Sequence, residues 1–205
     1  MSLRIGVLAL QGDFAEHAAM IRRCGASALE IRRSSEIAGI DGLIIPGGES
    51  TAIDKLMADN HDPIFDTILS RGQNGMPIYG TCMGSIFLAK EIEGSTQGRL
   101  ALMDICVKRN AFGPQRFSFE TSLDIPALGL DPFHAVFIRG PVIKSVSANV
   151  EVLSSIDEGI VMARQKNLLV TAFHPEITDD LRVHQLFLSM VSSVHTPVPK
   201  SFSHN

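Results

Sequence analysis

Cysteine is scarce in this 205-residue chain, and long apolar runs and any large excess of one charge are missing. The three cysteines, Cys24, Cys82 and Cys106, cannot all pair within one chain, and their spacing matches neither a disulfide framework nor a zinc ligand set. A reducing, cytoplasmic setting is therefore expected, with neither a metal nor a bound cofactor. The formal charge of −4 and the scattered Lys and Arg residues offer no basic patch for nucleic acid or an anionic membrane. The longest early apolar stretch, Leu3 to Leu10, is too short to span a bilayer, and no cleavage-like signal follows it. Repeats and internal linkers are also lacking. Residues 1–194 are expected to form one domain, followed by a polar, proline-containing tail, 195–205, that frays.

The apolar runs that are present, Leu3 to Leu10, Ala28 to Ile31, Gly42 to Ile45 and Pro77 to Tyr79, lack polar alternation, as strands covered on both faces do. The segments between them suit crossover helices. In Asp13 to Arg23, Phe14, His17, Ala18 and Ile21 fall at helical spacing, with Asp13 as the expected cap and Gly25 as the stop. Beyond about residue 100 the strand-like segments are Ala101 to Lys108, Phe117 to Leu123, Ala135 to Ile138, Val150 to Leu153, Ile160 to Ala163 and Leu168 to Phe173, with few helices between. Asp180 to Val194 reads as a closing helix. The pattern predicts an α/β fold of three layers. A mostly parallel, flavodoxin-like sheet is flanked by helices and extended by mixed or antiparallel strands.

Pro77 to Gly84 is a short strand running into a Gly-Thr-Cys-Met-Gly turn, with the helical stretch Ser85 to Glu91 behind it. Small residues at both ends let strand and helix pack closely while Cys82 occupies a strained turn at the carboxyl end of the sheet. There it faces a helix amino end, which favours a thiolate. A thiol nucleophile needs a base, and a base needs a group to orient it. Of seven histidines, His174 in Phe173-His174-Pro175-Glu176 follows an apolar strand, and Glu176, two residues on, lies on the same side if the backbone is extended. His134 reads as a loop residue and His184 as part of the apolar face of the last helix. Leu43 to Thr51 is a strand ending in Pro46-Gly47-Gly48, whose glycines leave backbone N–H groups open to a developing oxyanion; the N–H of Met83 would be the second donor. Ser50 or Thr51 could cap the helix that follows.

Together these residues resemble the triad glutamine amidotransferases. The chain up to about Val194 is similar to the glutaminase subunits of pyridoxal 5'-phosphate synthase, through ordered blocks at Gly6 to Gly12 with Glu16-His17, Pro46 to Thr51, Gly80 to Gly84, Arg109 to Gly113, Ser118 to Glu120, Phe137 to Arg139 and Phe173 to Glu176. The resemblance implies that Cys82 attacks the glutamine carboxamide, His174 carries the proton and Glu176 orients His174. It further implies that Gly48, Glu49, Ser50, Arg109, Ile138 and Arg139 bind L-glutamine, and that Gly48 and Met83 form the oxyanion site. A guanidinium suits the substrate carboxylate. A barrel-shaped synthase subunit is the implied partner in a hetero-oligomer, docking near Gln11 to His17, activating the glutaminase and receiving its ammonia. Three residues depart from the family pattern: Met83 and Gly140 stand where alanine is usual, and Pro114 where arginine is. The alternatives are a glutaminase of histidine, purine or pyrimidine synthesis, a cysteine hydrolase, and a regulatory subunit without turnover.

Overall fold

The computed structural model describes residues 2–48, 62–113 and 118–195. The early apolar runs form β1 (Arg4–Leu8), β2 (Ser27–Ile31), β3 (Gly42–Ile45) and β4 (Ile78–Thr81), and the late run forms β12 (Leu168–Thr171). All five are parallel, in the order β2-β1-β3-β4-β12. The beginning of this order is that of flavodoxin-like doubly wound sheets, in which ligands sit at the carboxyl ends of the strands.

Period-2 alternation divides each central strand between two cores. Leu43, Ile45, Ile78, Leu168 and Val170 join one cluster with Ile68 of α2 (Ile64–Gln73) and Phe87 of α3 (Met83–Leu88). Ile5, Val7, Ile44, Tyr79 and Leu169 join the other with Ala18 and Ile21 of α1 (Phe14–Arg23) and Val183, Phe187 and Val191 of α4 (Arg182–His195). Two apolar clusters on opposite faces make three layers, as the unalternating runs predict.

The second half of the chain extends the sheet through antiparallel pairs. β11 (Gly159–Gln165) lies against β12, followed by β9 (Val142–Val146) and β6 (Met103–Lys108), while β5 (Ala89–Ile92) pairs parallel with β6 and β10 (Glu151–Ile156) pairs with β11. A separate hairpin joins β7 (Ser118–Leu123) to β8 (Phe133–Ile138), where Phe119 and Phe137 stack with ring centroids 4.6 Å apart.

Several sequence expectations are corrected. The helix expected over Ser85 to Glu91 stops at Leu88, because Ala89 turns extended and the next residues pair with β6. Cross-strand pairing there overrides local helix propensity. The sequence reading also passed over β9, and His134 lies within β8, facing Glu120 at 2.9 Å, not in a loop. Asp13 does occupy the N-cap position of α1, but its side chain makes no capping bond; Gly25 follows the helix with φ +84, as a stop requires.

The turn from β4 to α3 depends on two glycines. A Cβ on Gly80 would lie 2.5 Å from the Gly84 carbonyl oxygen, and one on Gly84 would strike the Ile45 carbonyl. Because the obstacle at Gly84 is backbone of the neighbouring strand, Gly84→Ala is expected to destabilise the fold by about 2 kcal/mol, lowering the melting temperature by about 4–8 °C. Calorimetry of the purified variant measures this; an unchanged melting temperature would mean that strand and helix can separate at no cost.

Candidate active site

β4 and β12 are adjacent and in register, with Thr81 opposite Thr171, so the residues leaving both strands emerge at one sheet edge. Cys82 is the first residue past β4, held with φ 47, and its N–H donates to the Thr171 carbonyl at 2.8 Å. A left-handed backbone at a non-glycine residue is the strain expected of this turn. Past β12, the His174 N–H donates to the Val136 carbonyl at 2.8 Å, which anchors the segment to β8. His174 and Glu176 are both buried, and His174 Nδ1 lies 2.7 Å from Glu176 Oε1. The pair meets differently from the extended arrangement expected. Pro175 opens a 3-10 turn, Pro175–Ile177, whose first position suits its fixed φ, and this turn brings the two side chains together.

Cys82 and the His174 ring meet at this edge, both lying beside Gly47. Burial by itself would keep that ring neutral, but hydrogen bonds with Asp13, Cys82 and Glu176 outweigh it and push the His174 pKa up to about 12. Burial pushes the Glu176 carboxyl up and its bond to His174 pulls it back. The pair is thus a buried carboxyl and an imidazole that share a proton across 2.7 Å. Asp13 adds a second carboxylate, its Oδ2 3.5 Å from His174 Nδ1 and its side chain 42% exposed. Asp13, His174 and Glu176 each offer one metal-ligand atom, all within 4.8 Å of one another. The 2.7 Å contact between two of them is a hydrogen-bond length, so the set is suited to sharing a proton.

The Gly47-Gly48 segment crosses directly over this pair. A Cβ on Gly47 would lie 2.6 Å from His174 Cε1 and 3.3 Å from Cys82 Cβ, and the Gly47 N–H donates to Thr81 Oγ1 at 2.9 Å. Gly48 has φ 148 and would clash with the Gln11 amide if it carried a side chain, while Gly12 packs on the Gly47 carbonyl. As the first residue of α3, Met83 has an N–H without an intrahelical acceptor. Its side chain, larger than the usual alanine, is 2% exposed and belongs to the core cluster with Ile45 and Ile86.

Of the other expected glutamine contacts, Glu49 and Ser50 lie outside the described residues, as do Thr51, Pro114 and Arg116. The Ile138 carbonyl lies 3.9 Å from Cys82 Sγ, and its side chain is 40% exposed. Arg139 follows it, exposed and with φ 47. Arg109 stands on the turn after β6, where the Ala111 N–H donates to the Gly140 carbonyl at 3.3 Å, and its guanidinium donates to Gln97 Oε1 at 2.7 Å. A Cβ on Gly140 would come within 3.1 Å of Phe112, so glycine eases a crowded position next to Arg139. Cys24 and Cys106 stay unpaired, and burial raises both thiol pKa values.

Residues that sequence reasoning left aside lie behind the pair. His17 and His184, assigned to apolar helix faces, are 0% exposed, and His17 Nδ1 meets His184 Nε2 at 3.0 Å. His17 Nε2 lies 3.1 Å from Thr81 Oγ1. The signal was a histidine on an otherwise apolar helix face in each of two helices, which periodicity alone reads as packing. Burial lowers the pKa of His184 to about 4, and burial with the neighbouring His184 and His174 lowers that of His17 well below its ordinary value. A histidine with a depressed folded pKa binds fewer protons when folded, so its stabilisation is present above pH 6.5 and is lost as pH falls towards 4. His184→Phe is therefore expected to flatten the decline of melting temperature between pH 6.5 and 4 relative to the parent chain. Parallel thermal melts across that window check it, and an equally steep decline would mean that His184 does not titrate there.

A flavodoxin-like sheet with a cysteine elbow after one central strand and a histidine–glutamate turn after its neighbour defines the glutamine amidotransferase class. One solved structure described as a glutamine amidotransferase superposes with a TM-score of 0.85 at 45% identity, covering 92% of this chain and 98% of that one. The pyridoxal 5'-phosphate synthase subunit PdxT of Desulforamulus reducens is 56% identical over 187 residues, 91% of this chain and 98% of the relative. The subunit of the same name from Carboxydothermus hydrogenoformans is 53% identical over 191 residues, 92% of this chain and 98% of its own length. Residues 7–193 match the SNO glutamine amidotransferase family, and the chain belongs to it. Among the described residues no helix is long and apolar enough to cross a membrane.

Proposed function

We propose that this chain hydrolyses L-glutamine to L-glutamate and ammonia and delivers the ammonia to a barrel-shaped pyridoxal 5'-phosphate synthase subunit within a hetero-oligomer. Cys82 is the nucleophile. Its thiolate adds to the carboxamide carbon, the C–N bond breaks as His174 protonates the departing nitrogen, and a thioester remains. Water, deprotonated by His174, then releases glutamate and restores the thiol. Glu176 holds the imidazole and stabilises its cation. Gly48 and Met83 serve the oxyanion through backbone N–H groups, and Gly48, Glu49, Ser50, Arg109, Ile138 and Arg139 bind the amino acid.

The observation that carries this reading is His174, which lies 2.7 Å from Glu176 and shares with Cys82 the space beside Gly47. Closely similar chains named as subunits of pyridoxal 5'-phosphate synthase support the choice of partner. Unpaired cysteines support a cytoplasmic setting. A sheet running from β1 to β12, closed by α4, supports a single domain over 1–194.

Coupled assays of glutamate release, with and without the barrel subunit, test the proposal. The Gly47 N–H is held by Thr81, so Gly47 itself offers the substrate no donor, and docking of the subunit is proposed to set the Gly48 N–H instead. Mixing with the synthase subunit is expected to raise kcat by about 10^2-fold or more, the worth of one oxyanion hydrogen bond. Equal rates with and without the subunit would remove the proposed coupling.

A further inference from the structure

Glu176 uses one oxygen on His174; the other, Oε2, is buried and has no hydrogen-bond partner of standard geometry. A buried carboxylate oxygen without a donor is costly. His17 Nε2 lies 3.4 Å from it and 3.1 Å from Thr81 Oγ1.

Which proton His17 carries follows from its other side. His17 Nδ1 faces His184 Nε2, and His184 Nδ1 is buried without a partner. If His17 carried its proton on Nδ1, it would donate to His184 Nε2 and force the His184 proton onto Nδ1, leaving a buried N–H orphaned. In the opposite arrangement His184 donates from Nε2, and the orphan is a bare lone pair, the cheaper deficit. Glu176 Oε2 favours the same choice, because Nε2–H on His17, 3.4 Å away, can offer it a proton. Burial keeps both rings neutral, so each carries a single proton.

We propose that His17 is a positioning residue for the glutaminase reaction: its Nε2–H, set by His184, holds the far oxygen of Glu176 and the Thr81 hydroxyl that receives the Gly47 N–H. One imidazole on α1 thereby touches both halves of the machinery, the acid that orients the base and the peptide beside the oxyanion site. Thr81 Oγ1 has two lone pairs, one for His17 and one for Gly47. The inference rests on reading Cys82, His174 and Glu176 as the catalytic set.

The test compares His17→Leu with His17→Gln, whose amide nitrogen can stand in for Nε2, in the presence of the synthase subunit. His17→Leu is expected to lower kcat by about 10- to 100-fold, the cost of a hydrogen bond to a charged group. KM should stay within about twofold, because no substrate contact is removed. The acid limb of the pH profile should move upward, since Glu176 would lose a donor while still facing His174, Asp13 and Tyr79. His17→Gln should recover most of the rate. The proposal is overturned if His17→Leu keeps the parent kcat and pH profile, or if His17→Gln is no better than His17→Leu. Nitrogen-15 NMR of the unsubstituted chain adds a readout independent of folding in the variants: the His17 proton belongs on Nε2, and finding it on Nδ1 would overturn the assignment. Cys82→Ala separates the two levels of inference. If Cys82→Ala still releases glutamate, the catalytic reading falls and the His17 proposal with it; if it is inactive while His17→Leu is unimpaired, only the role of His17 falls.

Discussion

Cys82→Ala is expected to cut glutamate release by about 10^4-fold or more, and adding His174→Ala to it is expected to change nothing further. The reason lies in how the two groups share one task. The thiol sits on a residue of positive φ at the end of β4, and in the proposed mechanism its proton goes to the His174 ring. Removing sulfur leaves the imidazole with nothing to activate, and removing the imidazole leaves the thiol without a base. Residues that act as a unit give strongly non-additive losses. The measurement is single-turnover glutamate release by the two single variants and the double variant. If each substitution took its own independent factor from the rate, sulfur and imidazole would not be working in one step.

Glu176→Gln is expected to cost about 10^4-fold in kcat with little change in glutamine affinity, by analogy with other triads that lose the charge but keep the shape of the acid. The amide is nearly isosteric, so the 3-10 turn at Pro175 should survive. It can, however, present only one oxygen. If that oxygen faces His174 Nδ1, the NH2 group meets the neighbourhood of His17 Nε2; if it turns around, an N–H confronts His174 Nδ1 and the ring must carry its proton on the nitrogen that faces Cys82. In both orientations the buried negative charge is gone and the pKa of His174 should fall, although Asp13 and Cys82 still raise it. Steady-state kinetics with a pH profile, alongside a thermal melt, separates this from misfolding. A variant that melts like the parent yet retains its rate would remove Glu176 from the mechanism.

The parts of the structure that were legible beforehand are those governed by local signals. Unalternating apolar runs announced β1, β3 and β4, because burial on both faces leaves few polar positions; β2 was announced too although only Ile31 in it is buried, and β12, expected among the mixed strands, joins the parallel set. The Gly-Thr-Cys-Met-Gly turn announced the elbow, because only small residues permit Gly80 and Gly84 to approach backbone so closely. The Phe173 to Glu176 segment singled out His174 and Glu176, which do meet, although the 3-10 turn that pairs them was not foreseen. What escaped depends on contacts between distant segments. Ala89 to Ile92 has helix-compatible residues and becomes a strand only because β6 lies beside it. Asp13 looked like a helix cap and instead points at an imidazole far along the chain. His17 and His184 fill apolar positions in separate helices, and only the packing of α1 beside α4 makes them partners.

The placement of thiol and base on neighbouring strands from the two halves of the chain bears on how the protein is made. When Cys82 leaves the ribosome, β4 has β3 on one side and bare backbone on the other, because β12 has not yet been synthesised. A half-made chain therefore carries a sulfur with no imidazole to deprotonate it, and an unpaired strand edge of the kind that templates aggregation. Both conditions can end only once Leu168–Thr171 has docked beside β4, so on the proposed mechanism chemical competence cannot precede the closing of the sheet.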